Sequence, residues 1–141
     1  IPSFAPQIFK SVINLDPLKS KQLEKGLEQL AEEGVVQLFS RLNSSQRLIG
    51  VVGALQFDVL QFRLETEYRA QCRFDPTEYT TACWVQCEDK NRLEDFIRRH
   101  ENKLCRDREG NIVFLSRNRW TIERTFQEEK GIRYYFTSDF C

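Results

Sequence analysis

The sequence predicts an α+β protein built from two fused β-α-β-β-α-β units, each a ferredoxin-like plait in which two helices cover one face of a four-stranded antiparallel sheet. Three observations predict it. Apolar residues recur at helical spacing in four segments, short strand-forming runs lie between them, and the order strand, helix, strand, strand, helix, strand occurs once on each side of Pro76. The expected units are residues 1–76 and 77–141.

In the first unit, residues 4–13 are rich in strand formers, and Asp16-Pro17 then supplies an N-cap with a proline at the first helical position. Leu23, Leu27, Leu30 and Ala31 recur on one helical face, and Gly34 stands where that helix stops. VVQLFS (35–40) and RLIGVVG (47–53) form a strand pair around the polar link RLNSS. In ALQFDVLQFRLETEY (54–68), Leu55, Val59 and Phe62 are expected to join Leu60, Leu64 and Tyr68 on one wide apolar face of a helix. QCRFD (71–75) closes the unit as a strand.

The second unit repeats the order without repeating the sequence. TTACWVQC (80–87) reads as a strand, and DKNRLEDFIRRHENK (89–103) as a helix capped by Asp89. LCR (104–106) and NIVFLS (111–116) make a strand pair about DREGN. SRNRWTIERTFQEEK (116–130) is a helix expected to be capped by Ser116 and ended by Gly131, and IRYYFTS (132–138) is the closing strand.

Composition limits what such a chain does. With 40% hydrophobic residues and eleven Phe, four Tyr and two Trp among 141 residues, it carries enough apolar mass for a packed core. No apolar run reaches the roughly 18 residues of a membrane span, and the first residues lack the charged start and apolar stretch of a signal peptide. A cytoplasmic protein is expected, and the start at Ile1 rather than Met suggests a piece of a longer one. Cys72, Cys83, Cys87, Cys105 and Cys141 are odd in number and sit mostly among apolar neighbours, so reduced, buried thiols are expected. Zinc ligation lacks its spacing, since Cys83 and Cys87 are separated by three residues on a strand and His100 is the only histidine.

No catalytic constellation emerges. Gly50 and Gly53 bracket a turn into a helix, but no Lys followed by Ser or Thr comes after them, as a nucleotide-binding loop requires. His100 continues the apolar stripe of Leu93, Phe96 and Ile97 near a helix end, a structural position, and Glu94 with Arg98 reads as a surface pair. Neither aromatic strand matches the base-stacking pattern of RNA-binding sheets. Net charge is zero, yet residues 98–124 carry eight basic side chains against four acids. Within that stretch, Arg98, Arg99, Lys103, Arg106 and Arg108 surround a helix end and turn where they would meet phosphate oxygens or an acidic protein face.

IPSFAP (1–6), LDPLKSKQLEKGLEQLAEEG (15–34), GVVGALQFDVLQFRLETEY (50–68) and TACWVQC (81–87) closely resemble the bacterial class II peptide chain release factors, in order and spacing. The first half is also similar to domain III of elongation factor G, whose corresponding helix carries an acid and an arginine where this chain has Asp58 and Arg63. Cys83 and Gln86 depart from the family pattern, which often has a basic residue and an acid there. The resemblance implies the third domain of a translational GTPase that drives class I release factors off the terminating ribosome. It implies a G domain holding GTP and Mg, and a β-barrel domain, upstream of Ile1, with no catalytic residue, cofactor or metal in this segment itself. It also implies contact with ribosomal protein S12 and 16S rRNA of the small subunit. The rival readings are the equivalent region of another translational GTPase, of the elongation factor G or ribosomal protection type, and a stand-alone ferredoxin-like binding module or enzyme.

Overall fold

The structure is a computed structural model and describes residues 4–138; Cys141 lies outside the described residues. The chain runs β1 (Ile8–Asn14), a 3-10 turn (Pro17–Lys19), α1 (Ser20–Glu32), β2 (Gln37–Arg41), β3 (Arg47–Val51), α2 (Leu55–Glu67) and β4 (Cys72–Pro76). It continues as β5 (Thr81–Gln86), α3 (Lys90–His100), a second 3-10 turn (Glu101–Lys103), β6 (Leu104–Arg106), β7 (Ile112–Ser116), α4 (Arg119–Gln127) and β8 (Arg133–Tyr135). The eight strands form one antiparallel sheet in the order β4-β1-β3-β2-β6-β7-β5-β8. Its central seam is short, two residue pairs joining Ser40 to Arg106 and Arg41 to Cys105.

Strand alternation sorts side chains into three cores. On the helix-bearing face, Val12, Leu38, Ile49 and Val51 meet Leu23, Leu27, Leu30, Phe57, Leu60 and Leu64 of α1 and α2. Farther along that face, Cys83, Leu104, Ile112 and Phe114 meet Phe96 of α3 and Ile122 and Phe126 of α4. The opposite face carries no helix among the described residues, yet Phe9, Phe39, Leu48, Ala82, Trp84, Cys105, Val113 and Leu115 are all buried there as one cluster. Phe39 and Trp84 sit on strands three places apart, a separation of about 14 Å in a flat sheet, but their ring centroids are 6.1 Å apart. The sheet therefore curls until its helix-free face closes on itself. Trp84 donates its indole N–H to Asp107 at 2.9 Å, and Asp107 also accepts from the backbone N–H of Glu109 and Asn111, so one carboxylate satisfies a buried donor and shapes the β6–β7 turn.

Element ends follow the local chemistry, with two exceptions. Asp16 caps the 3-10 turn that leads into α1 and Asp89 caps α3, each accepting backbone N–H groups. Gly34 adopts φ of 82° directly after the Glu33 cap of α1, the left-handed conformation that ends helices, whereas α4 ends at Gln127 with Glu128 as its cap, so the expected stop at Gly131, with φ of 83°, falls in the turn three residues farther on. The expected Ser116 cap is corrected: Asn118 accepts from Thr121 N–H at 2.8 Å, whereas Ser116 is buried at the end of β7 and bonds the Asn118 carbonyl. Strand β7, buried on both faces, runs on to Ser116, which pairs with Thr81 of β5, and the helix starts two residues later than expected.

The glycine segment does turn β3 into α2, but without a positive φ at either glycine. Gly50 is within β3, where an added Cβ would come 2.9 Å from Pro6 Cβ, so its role is close approach of the incoming chain. Gly53 has open space around it, and its φ is not positive.

Candidate functional site

The five cations singled out from the sequence do not form one free cluster. Arg98 pairs with Asp95 at 3.4 Å, in place of the expected Glu94 partner. Arg99 reaches Asp95 at 3.1 Å and clamps Glu129, whose carboxylate also faces His100 Nε2 at 3.3 Å. The Arg99 hydrogen bond, acting against burial and aided by His100, holds Glu129 below the usual carboxylate range, and the same contact raises Arg99. His100 packs at a tilt against Phe96 and edge-on to Phe114, with ring centroids 4.7 and 5.7 Å away. Arg108 bonds Glu28 of α1 at 2.9 Å, and Glu28 also holds Arg47 at 3.2 Å. Burial tends to lift Glu28, but the bonds from Arg108 and Arg47 outweigh it and leave the carboxyl lowered. Arg106 donates to the Gly110 carbonyl at 3.0 Å, and Lys103 is exposed with no ion pair among the described residues. Two of the five are thus structural clamps, and Arg98, Lys103 and Arg106 stay on the surface.

A second surface escaped the sequence reading. Leu55, Val59 and Phe62 are 79%, 51% and 66% exposed, and Val52 just before the helix is 46% exposed. They correct the expected wide face: α2 buries Phe57, Leu60 and Leu64 and turns Leu55, Val59 and Phe62 outward. Three- and four-residue spacing alone places both sets on helical stripes, and α2 has two such stripes on opposite sides. Asp58 and Glu65 lie exposed along one flank of the outer ridge with no ion pair among the described residues. On the other flank Arg63 is held by Glu67 and Glu33, each at 2.7 Å, and is raised by both, Glu67 foremost. Asp58 and Arg63, the two residues paralleled in elongation factor G, therefore border this ridge.

On α4, Trp120 is 65% exposed with Arg124 lying 5.4 Å from its ring. The thiols behave as small core residues: burial lifts Cys72 to about 11 and Cys83 and Cys105 further, while Cys87 is half-buried. Cys83 faces the core, where a basic side chain would be buried, and Gln86 is exposed at the end of β5. No group of potential metal ligands occurs among the described residues, and none of their helices is long and apolar enough to cross a membrane. The family model for the C-terminal domain of class II release factor RF3 matches residues 1–126, which takes in every element from β1 to all but the last residue of α4.

Proposed function

The chain belongs to the family of class II release factor RF3 C-terminal domains, and from this we propose that it is the part of a GTP-dependent termination factor that docks on the ribosome and helps dissociate class I release factors. Membership implies a role in translation termination, a ribosome as partner and a GTPase domain apart from this one. The match over residues 1–126 carries the reading. On it, GTP and Mg bind upstream, and the domain relays the nucleotide state to S12 and 16S rRNA on the small subunit.

Two features support that role. The acid-flanked α2 ridge suits a protein partner better than a polyanion, and we assign it to the G or β-barrel domain of the same parent chain. Gln7 N–H bonds the Val51 carbonyl at 2.9 Å, so the incoming chain passes the end of β3 from which Val52 and the ridge begin. Residues 1–76 and 77–141 read as two ferredoxin-like plaits joined through β2 and β6, a reading supported by the order β4-β1-β3-β2 and its reversal in β6-β7-β5-β8.

The test is dissociation of a labelled class I factor from post-hydrolysis ribosomes by the full-length protein. Lys103→Ala with Arg98→Ala and Arg106→Ala is expected to weaken ribosome binding several-fold and flatten its salt dependence. If the wild-type protein neither binds ribosomes nor speeds release, the reading is wrong; if only the triple variant is silent, the cations are merely solvated.

A further inference from the structure

We infer that the exposed Trp120 face of α4 is an RNA-contact surface that stacks an unpaired base, a specification of the ribosome partner that rests on the proposed function. The argument begins with the two tryptophans. Trp84 is 1% exposed with its N–H bonded to Asp107, as a structural indole is. Trp120 is 65% exposed, on the turn of α4 where the buried face is made by Ile122 and Phe126 instead. It therefore contributes little to the core.

Its surroundings differ in sign from those of the α2 ridge. Arg124, one turn on, places its guanidinium 5.4 Å from the indole centroid, and Arg119 lies 4.0 Å from the Phe136 centroid. Neither makes an ion pair among the described residues. Arg117, just before the helix, is exposed and bonds Glu78 at 2.7 Å, and Glu123 is the exposed carboxylate on the same face of α4. An open indole with the Arg124 guanidinium beside it, and Arg119 without an ion pair one residue before it, combines two elements of single-strand recognition: a flat π surface for a base and cations for the phosphates on either side. The apolar ridge on α2, flanked by free carboxylates, repels the same ligand. Two surfaces of opposite character thus sit on the two halves of the domain. Of the aromatic strands that failed to match the RNA-binding sheet pattern, Phe114 of β7 is buried and Tyr134 and Tyr135 of β8 are half-buried, and the stacking residue is on a helix.

The experiment uses the full-length protein and a fluorescein-labelled dodecamer of adenylate, read by anisotropy, with ribosome co-sedimentation in parallel. Trp120→Ala is expected to weaken RNA binding about tenfold, and Trp120→Phe to retain most of it. Arg119→Ala with Arg124→Ala should reduce the slope of log affinity against log salt by about 0.7 per lost phosphate contact. Equal RNA affinity for wild type and Trp120→Ala overturns the inference. So does a Trp120→Ala protein that loses ribosome affinity but keeps RNA affinity, which would make α4 a protein contact. A wild-type protein that binds the RNA as expected but does not sediment with ribosomes upholds the RNA surface and sinks the termination reading, so the two fail separately.

Discussion

Glu129 is buried just beyond α4, where Arg99 and His100 of α3 close on it from the neighbouring helix. Its carboxyl is lowered in the folded protein, chiefly by the Arg99 hydrogen bond, so folding is favoured by the ionised form. That contribution is complete above the ordinary value of 4.5 and is lost as pH falls through the lowered folded value. Glu129→Gln should cost about 2 kcal/mol at neutral pH, because a charged hydrogen bond is removed and Arg99 keeps Asp95 as a second partner. Urea titrations should show the gap between wild type and variant shrinking below about pH 4.5; a gap that holds constant to lower pH would mean that the charge does not matter. Asp107 poses a different residue-scale problem, since its removal leaves the buried Trp84 N–H without a partner. Asp107→Ala should therefore cost about 1–3 kcal/mol, seen as a lowered urea midpoint at unchanged slope.

Among the elements, α2 separates helical spacing from burial. Leu60→Ala should destabilise by about 2–5 kcal/mol, whereas Leu55→Ser and Phe62→Ser should stay within about 0.5 kcal/mol in this domain by itself. A large loss on Phe62→Ser would restore the single wide face that the sequence suggests. The existence and order of the elements were legible because Leu23, Leu27 and Leu30, or Phe96 with Leu93 and Ile97, leave one strong stripe each, with Asp16, Asp89 and Gly34 as punctuation. In α2 the apolar residues lie all round, and nothing in a single chain says which stripe faces its own sheet. Asn118 was hidden for a related reason: Ser116 and Asn118 are both good caps, and the choice depends on how far β7 runs. Asn118→Ala should cost about 1 kcal/mol in thermal or urea unfolding. The scattered cations were unforeseeable in the same way, because Arg108 meets Glu28 and Arg99 meets Glu129 across long sequence separations.

At the scale of the molecule, the question is whether the two halves move as one body, as the proposed relay of a nucleotide state requires. The seam between β2 and β6 has two residue pairs, and the Arg108 bond to Glu28 is partly exposed, worth about 0.2–1 kcal/mol. Neither is enough to couple the halves. The cores under the helices do little to couple them, since the first draws only on the first half and the second takes in only Leu42 from across the seam. The cluster on the helix-free face does, because Phe9, Phe39 and Leu48 from one half pack with Ala82, Trp84 and Val113 from the other. Phe39 is the residue through which that coupling is best tested, with Phe9 at 5.9 Å and Trp84 at 6.1 Å between ring centroids. Phe39→Ala should cost about 3–5 kcal/mol, and hydrogen exchange should show amides of β5 and β7 losing as much protection as those of β1 and β3. Loss confined to β1, β2 and β3 would mean that the halves open separately and that the seam is a hinge. Equal loss in both means that this cluster is what makes the eight strands one cooperative body, since the mutated side chain belongs to only one of the halves.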